Sequence, residues 1–326
     1  MDMNPTDQGL FAPPYYSAFK CIADRCRHSC CIDWEICIDE TTYAKYQTHE
    51  DILATVQLCE DGPCFALCAD GRCPHLNADG LCTIILTHGE DHLSDICREH
   101  PRFYHRVNRD RTEVGLGIVC EEACRLILES EQPFFLAKIA DLGDCDRDTD
   151  VPENGFDPRP QREHILSVIG SAEGTYDDKI RVLRTEYRIP ELHTPDEWLN
   201  RFLGLEILDP TWEQDLRSMR GNRFGKDGRG TDEYAPYYAR LLTYFVYRHV
   251  STAADPDDLC ARLAFAILSV NMIRSLFEAD QRPAPPPAPT RAPDALIDWA
   301  RRYSAEIEYS EDNTDELIFA FSCQRF

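Results

Sequence analysis

The second half of the chain places hydrophobic residues at three- and four-residue intervals, which is the period of an amphipathic α-helix. The pattern runs through YDDKIRVLRTEYRI, TPDEWLNRFLGLEIL, DEYAPYYARLLTYFVYRHV and DPDDLCARLAFAILSVNMIRSLFEA, and it returns in DALIDWARRYSAEIEYSEDNTDELIFAF. Several of these segments open with Asp or Thr, which cap helix N-termini. Residues 162–326 are therefore predicted to form a helical domain.

The first region, residues 10–140, has a different pattern. Helical periodicity occurs at its flanks, whereas its middle, CEDGPCFALCADGRCPHLNADGLCTI, is rich in the turn residues Gly, Asp and Pro. A polar connector is predicted at 141–161, and the proline-rich segment at 281–293 predicts a stiff extended linker. The predicted fold class is mainly α, with an irregular cysteine-rich metal-binding region and a helical C-terminal domain.

Sixteen cysteines stand in the 326 residues, and eleven of them lie between Cys21 and Cys97. A chain of this length buries a core without covalent staples. Its N-terminus lacks the basic start and apolar run of a signal peptide, and the apolar stretch from Leu263 falls short of about 18 residues. We therefore expect a cytoplasmic protein that does not enter a membrane, with cysteines that bind metal rather than form disulfides.

The formal net charge of -24 disfavours a nucleic-acid partner, because phosphate is repelled by an acidic surface. The same charge favours a cationic partner, such as a protein that presents lysines. A soluble acidic surface without a specific partner is the simpler interpretation.

Short cysteine spacings are typical of metal sites, because one turn then presents two thiolates to zinc or to an iron–sulfur cluster. A second kind of pair flanks the predicted NADG turn, which brings Cys73 and Cys82 together. Cys97 precedes a proline, and Cys120 stands at a predicted helix entry. Three pairs have the short spacing: Cys21 and Cys26, Cys26 and Cys30, Cys64 and Cys68.

Cys30 and Cys31 are adjacent and cannot easily share one ion, so either they face two sites or one of them only packs. Zinc and a cubane cluster each take four ligands, and both stay open at this point. A conventional radical enzyme is disfavoured, because Asp33 stands where its third cysteine is required after Cys26 and Cys30.

Acidic segments offer a second kind of candidate site. Glu35 and Asp39 are four residues apart, so one helical face can carry both, and Trp34 and Tyr309 can add cation–π contacts to an ammonium group. A solvated helix face is the alternative. His88 and His92 are also four apart, but they lack the glutamate of the H-E-x-x-H pattern and are interpreted as surface residues.

Several segments resemble the flagellin lysine-N-methylase family: FKCIADRCRHSCCIDWEICIDETTYAKY, GRCPHLNADGLCTI, LSDICREHPRFY, GIVCEEACRLIL and the late YSAEIEYSEDN. The resemblance implies transfer of a methyl group from S-adenosylmethionine to lysine ε-amines of flagellin, with an iron–sulfur cluster, of the 4Fe-4S type, held by cysteines. The matching cysteines are Cys21, Cys26, Cys30, Cys31, Cys73, Cys82, Cys97 and Cys120.

A lysine amine must lose its proton before it attacks a methyl sulfonium. Glu35, Asp39, Glu306 and Glu308 are the candidates for that step. The shorter cysteine pattern, CC then C-P-x-L then C then C-R-x-x-P, is also similar to small zinc- or iron-chelating proteins. The alternative function is therefore a non-enzymatic metal-binding protein, with zinc as the alternative metal.

Overall fold

A computed structural model describes residues 8–32, 34–60, 62–142, 155–190, 195–219, 232–280 and 291–322. Two compact units divide the chain. We call them the cysteine-rich unit (Lys20–Phe103 and Cys120–Glu122) and the helical unit (Met1–Phe19, Tyr104–Val119 and Ala123–Phe326). Most of the connector at 141–161 and of the proline-rich segment at 281–293 lies outside the described residues.

The described chain is mainly α-helical, as the sequence predicts, with a small amount of sheet. Its strands are β1 (Gly9–Ala12), β2 (Val56–Cys59), β3 (Gly62–Phe65), β4 (Arg102–Asn108), β5 (Arg111–Leu116) and β6 (Ala137–Ala140). Its helices are α1 (Glu40–Tyr46), α2 (Glu50–Leu53), α3 (Thr83–His88), α4 (Asp95–Glu99), α5 (Glu121–Glu129), α6 (Arg159–Gly170), α7 (Tyr176–Glu186), α8 (Pro195–Phe202), α9 (Pro210–Ser218), α10 (Ala235–His249), α11 (Pro256–Asp280), α12 (Asp294–Tyr303) and α13 (Glu311–Ser322).

A four-stranded sheet with the order β4-β5-β1-β6 opens the helical unit. Strand β1 pairs parallel with β5, so Gly9 lies opposite Arg111, and antiparallel with β6. Gly9 has a φ of 130°, and a Cβ there would stand 2.6 Å from the carbonyl oxygen of Ala140. A glycine is required at this position, because no side chain fits between the two strands.

Helix α11 is the central helix of the helical unit, and sixteen of its twenty-five residues are buried. By length and composition alone it could cross a membrane, but 83% of its most apolar stretch is buried inside the fold. A core helix has this character. Helices α10, α12 and α13 pack against it.

The cysteine-rich unit has short helices and a two-stranded hairpin, β2–β3. Its core is a small cluster of buried side chains: Ile36, Ile38, Tyr46, Ile52, Phe65, Cys73 and Ile84. This unit is shorter than the predicted region 10–140, because β1, β5 and β6 pair with one another and belong to the helical unit.

Candidate metal centre

The cysteine-rich segment near the start of the chain lies along the segment that carries the NADG turn. Ile32 forms a bridge with Arg72, and the amide of Cys73 donates a hydrogen bond of 2.8 Å to the carbonyl of Cys31. Asn77 closes the turn by accepting hydrogen bonds from two amides within it. Leu76 then bridges to Cys82, so the turn returns Cys82 toward Cys73.

One group of four thiols lies around Tyr46. The buried Cys73 belongs to the small core, and Cys31, Cys82 and Cys97 pack against the same core as half-buried side chains. Burial raises the pKa of Tyr46, and the neighbouring Cys97, Cys82 and Cys73 raise it further. We call these four cysteines the Tyr46 group.

A second group of four contains Cys21, Cys26, Cys30 and Cys120, and we call it the Glu121 group. Cys21 and Cys120 are near enough to Cys30 for their charges to raise its pKa. The thiol of Cys26 lies 3.8 Å from Glu121 Oε2. The backbone amide of Arg27 and its guanidinium also donate hydrogen bonds of 2.9 Å to Glu121, which fastens Cys120 beside the loop of Cys26.

Cys30 and Cys31 are adjacent in the sequence but belong to different groups. Cys30 lies near the sulfurs of the Glu121 group, and Cys31 lies near those of the Tyr46 group. Their shared hydrogen bond is the largest cause of opposite pKa shifts: it lowers the pKa of Cys31 to about 7 and raises that of Cys30. The sequence leaves open whether the two cysteines face two sites or one of them only packs, and in the structure each has its own neighbouring cysteines.

The distances between ligand atoms show whether a closed zinc site is present. Thiolates bound to one tetrahedral zinc ion lie about 3.8 Å apart, from a Zn–S bond of about 2.3 Å. Two triads of His, Cys, Asp or Glu in the described part of the chain have ligand atoms that all lie within 4.8 Å of one another. They are Glu35–Cys59–Cys64 and His49–Asp51–His88. Neither triad contains any of the eight cysteines, so the described residues show no closed zinc site there. A cubane spreads its four thiolates over four irons, so it does not require them to lie that close together.

Cys59 and Cys64 form a disulfide, which corrects two expectations. Cys64 does not bind a metal together with Cys68. The expectation that the cysteines bind metal rather than form disulfides is wrong for this pair. The antiparallel hairpin brings these two cysteines together. Its register sets Gln57 opposite Cys64 and Cys59 opposite Gly62, so Cys59 and Cys64 lie diagonally across the two strands. Sequence spacing alone does not reveal this pairing.

The first two acidic candidates do not share a helical face, because α1 begins only at Glu40. Asp39 is the N-cap of α1: its carboxylate accepts hydrogen bonds of 2.8 Å from the Thr42 amide and 2.9 Å from the Asp95 amide. Glu35 is exposed and accepts a contact of 3.7 Å from the thiol of Cys37. The geometry gives Asp39 a structural role and leaves Glu35 accessible.

The other two acidic candidates lie in a π-helical turn, Ser304–Glu308, and both are buried. Glu306 accepts hydrogen bonds from the amides of Leu208 (3.0 Å) and Asp209 (2.6 Å), and burial raises its pKa. These contacts tie the turn to the start of α9. The role of Glu306 is therefore structural.

Glu308 accepts a hydrogen bond of 3.0 Å from Tyr244 and lies 2.7 Å from His249 Nε2 and 3.3 Å from Arg248 Nε. Burial alone raises the pKa of Glu308, but the charge of Arg248 and the hydrogen bond from His249 outweigh it and hold the pKa below its ordinary value. Tyr309 packs under Arg248, with 5.8 Å from the guanidinium to the ring centre. Glu308 is therefore a structural ion-pair partner.

The helical unit contains a cavity of about 740 Å³. Cavities of this size hold small molecules and cofactors. Tyr15, Phe134 and Tyr244 supply aromatic walls, and Arg111 and Arg162 supply positive charge. Sequence reasoning missed this cavity, whose wall includes Pro14 and Tyr15 near the start of the described chain.

Comparisons with protein-family models, with curated proteins and with solved structures find no match to this chain.

Proposed function

We propose that this protein is an iron–sulfur protein lysine methyltransferase, which transfers methyl groups from S-adenosylmethionine to lysine ε-amines of flagellin. The observation that carries the proposal is the gathering of eight thiols into the Tyr46 group and the Glu121 group within one compact unit. The sequence resemblance supplies the reaction class and the substrate. The charge of -24 suits a partner that presents lysines.

Each group has the four thiols that one cubane requires. Burial raises the pKa of Cys73 to about 12 and that of Cys97 to about 11, so these thiols carry protons at neutral pH and must release them when they bind a metal. A bound cluster supplies redox-active or electrophilic iron to the site. The protein itself supplies the shielded, sulfur-rich surroundings of Tyr46.

In the transfer step, the lysine nitrogen forms a bond to the methyl carbon while the bond from that carbon to the sulfonium sulfur breaks. The leaving group is a neutral thioether, and the lysine proton passes to a base. Glu35 is the acidic candidate whose carboxylate is exposed and has no capping or ion-pairing role among the contacts described above. We assign the proton acceptor to Glu35.

A non-enzymatic metal-binding function is the second candidate. It is favoured by the structural roles of Asp39, Glu306 and Glu308, which leave a single acidic candidate for catalysis. In that case the thiol groups stabilise the cysteine-rich unit and the acidic surface binds a basic protein.

The deciding experiment is anaerobic purification followed by iron, sulfide and zinc analysis, and then incubation with labelled S-adenosylmethionine and flagellin. We expect about four irons and sulfides per chain for one cubane and about eight for two, together with methyl transfer to flagellin. Zinc without iron overturns the cluster. Iron without methyl transfer, with the cluster intact, overturns the enzyme and leaves the metal-binding function.

A Glu35→Gln variant tests the proton acceptor. We expect methyl transfer to fall by a factor of about 100 or more, the range for loss of a general base, and iron content to stay unchanged. A Glu40→Gln variant is the matched control, because Glu40 is also an acidic residue of the same segment and lies in the first turn of α1. Equal rates in both variants would remove Glu35 from the mechanism.

A further inference from the structure

Three histidines of the cysteine-rich unit lie close together around an aspartate. The ring centres of His49 and His88 are 4.5 Å apart, and His92 lies 4.9 Å from His49 and 5.6 Å from His88. One ligand atom from each of His49, Asp51 and His88 lies within 4.8 Å of the others. The sequence interpretation of His88 and His92 as unrelated surface residues therefore misses a cluster.

Local structure brings these residues together from two segments. His49 is the N-cap residue of α2, and Asp51 lies in the first turn of that helix. His88 is the last residue of α3, and Gly89, with a φ of 90°, turns the chain so that His92 returns to the same place. The Tyr46 hydroxyl donates a hydrogen bond of 2.5 Å to the His92 carbonyl, which holds the returning segment.

The cluster has the polar features of a ligand site. Asp51 Oδ2 lies 2.8 Å from His88 Nε2. His92 Nδ1 is buried and has no hydrogen-bond partner. A buried nitrogen without a partner is costly, and a bound cation satisfies it.

We propose that this cluster is a zinc site, with His49, Asp51 and His88 as ligands and His92 as the fourth ligand. Imidazole nitrogen and carboxylate oxygen bind zinc at about 2.1 Å, which sets tetrahedral ligand atoms about 3.4 Å apart. Atoms already within 4.8 Å of one another reach that geometry by small side-chain rotations. His92, whose ring centre lies 4.9 Å from that of His49, joins them by a rotation of its own ring.

Four protein ligands close the coordination shell, so the site is structural rather than catalytic. It joins the start of α2 to the turn that follows α3, and both elements border the small core of the cysteine-rich unit. No thiolate takes part. The site therefore does not depend on which metal the Tyr46 and Glu121 groups bind, nor on the proposed enzymatic activity.

The test uses the full chain purified without oxygen, with its thiol sites filled and weakly bound metal removed by a mild chelator. Zinc is added, excess zinc is removed by gel filtration, and bound zinc is counted in the wild type, in His88→Ala and in His164→Ala. His164 is the matched control, because it is a half-exposed histidine that also pairs with a carboxylate, at 2.8 Å from Glu186.

We expect the wild type and His164→Ala to bind about one more zinc per chain than His88→Ala. X-ray absorption at this zinc is expected to show nitrogen and oxygen neighbours without sulfur. Equal zinc counts in all three proteins, or sulfur neighbours, overturn the site. If His88→Ala fails to fold, the Asp51→Asn variant is used instead, because Asp51 is exposed. A zinc affinity at least tenfold weaker than that of the wild type supports the site. An unchanged zinc affinity overturns it.

Discussion

The two units of the chain are stabilised by different means. In the helical unit a single helix, α11, buries sixteen residues, whereas the core cluster of the cysteine-rich unit contains seven. A core that small supplies little hydrophobic free energy. Small domains of this kind are commonly stabilised by bound metal or by disulfides, and the cysteine-rich unit has thiols at its core edge and one disulfide.

Polar groups are buried differently as well. The helical unit buries Glu113 against Arg162 at 2.6 Å and Arg111 at 2.9 Å, so this buried carboxylate is paired with arginines of its own unit. In the cysteine-rich unit, burial raises the pKa of the Cys26, Cys82 and Cys97 thiols, which favours their protonated form. The comparison predicts that metal controls the stability of one unit and pH controls the stability of the other.

Removal of metal is expected to have the largest effect. Stripping the thiol sites, or a Cys82→Ser substitution, should unfold the cysteine-rich unit, because the free energy of metal binding, of order 10 kcal/mol, is also its folding free energy. The helical unit should stay folded. Limited proteolysis measures both: new cuts are expected between residues 20 and 103, with α10 and α11 still protected.

Cys260→Ser is the control for this substitution, since Cys260 is a half-buried cysteine of α11 in the helical unit. It should leave both the metal content and the protease pattern unchanged. A stripped protein whose cysteine-rich unit resists protease as well as the loaded protein does would contradict the comparison.

An intermediate effect is expected from acid on the helical unit. Burial lowers the pKa of His105 to about 3, so the folded state keeps this ring neutral while the unfolded state protonates it below about pH 6.5. The unfolded state then binds more protons, and stability falls as pH falls through this range. Between pH 7 and pH 5 the loss from His105 is about 2 kcal/mol.

The check is chemical denaturation of the helical unit at both pH values in the wild type and in His105→Phe. Phenylalanine keeps the aromatic contact with Tyr247, whose ring centre lies 5.7 Å away, but it cannot titrate. The substitution should remove the part of the pH dependence that comes from His105, whereas the buried His249, whose pKa burial also lowers, keeps its own part. His164→Ala should leave the pH dependence unchanged. The same slope in His105→Phe as in the wild type would exclude this explanation.

Sequence reasoning succeeds where the signal is local. The helical periodicity predicts α10 and α11, and the NADG turn predicts the approach of Cys73 and Cys82. It fails where distant segments meet. The parallel pairing of β1 with β5 joins residues about a hundred positions apart, and no local pattern encodes that register.

The candidate site shows the same division. The Cys59–Cys64 disulfide depends on the hairpin register, and the cluster of His49 with His88 depends on packing between α2 and α3. Glu308 is a candidate proton acceptor in the sequence, but in the structure Tyr244 and His249 from α10 contact its carboxylate. The identities of such residues were visible in the sequence, and their partners were not.

The smallest expected effect comes from one helix cap in each unit. Asp39 caps α1 of the cysteine-rich unit, and Thr175 caps α7 of the helical unit through a reciprocal capping box with Asp178. Asp39→Ala and Thr175→Ala should each lower the free energy of unfolding of their own unit by about 1 kcal/mol. Asp39→Asn should restore most of the loss, because asparagine caps as well as aspartate does.

Hydrogen exchange measures the stability of the two units separately, and a methyl-transfer assay accompanies it. If Asp39→Ala abolished transfer while its unit stayed as stable as in Asp39→Asn, Asp39 would be a catalytic residue and the capping role would not be its main one.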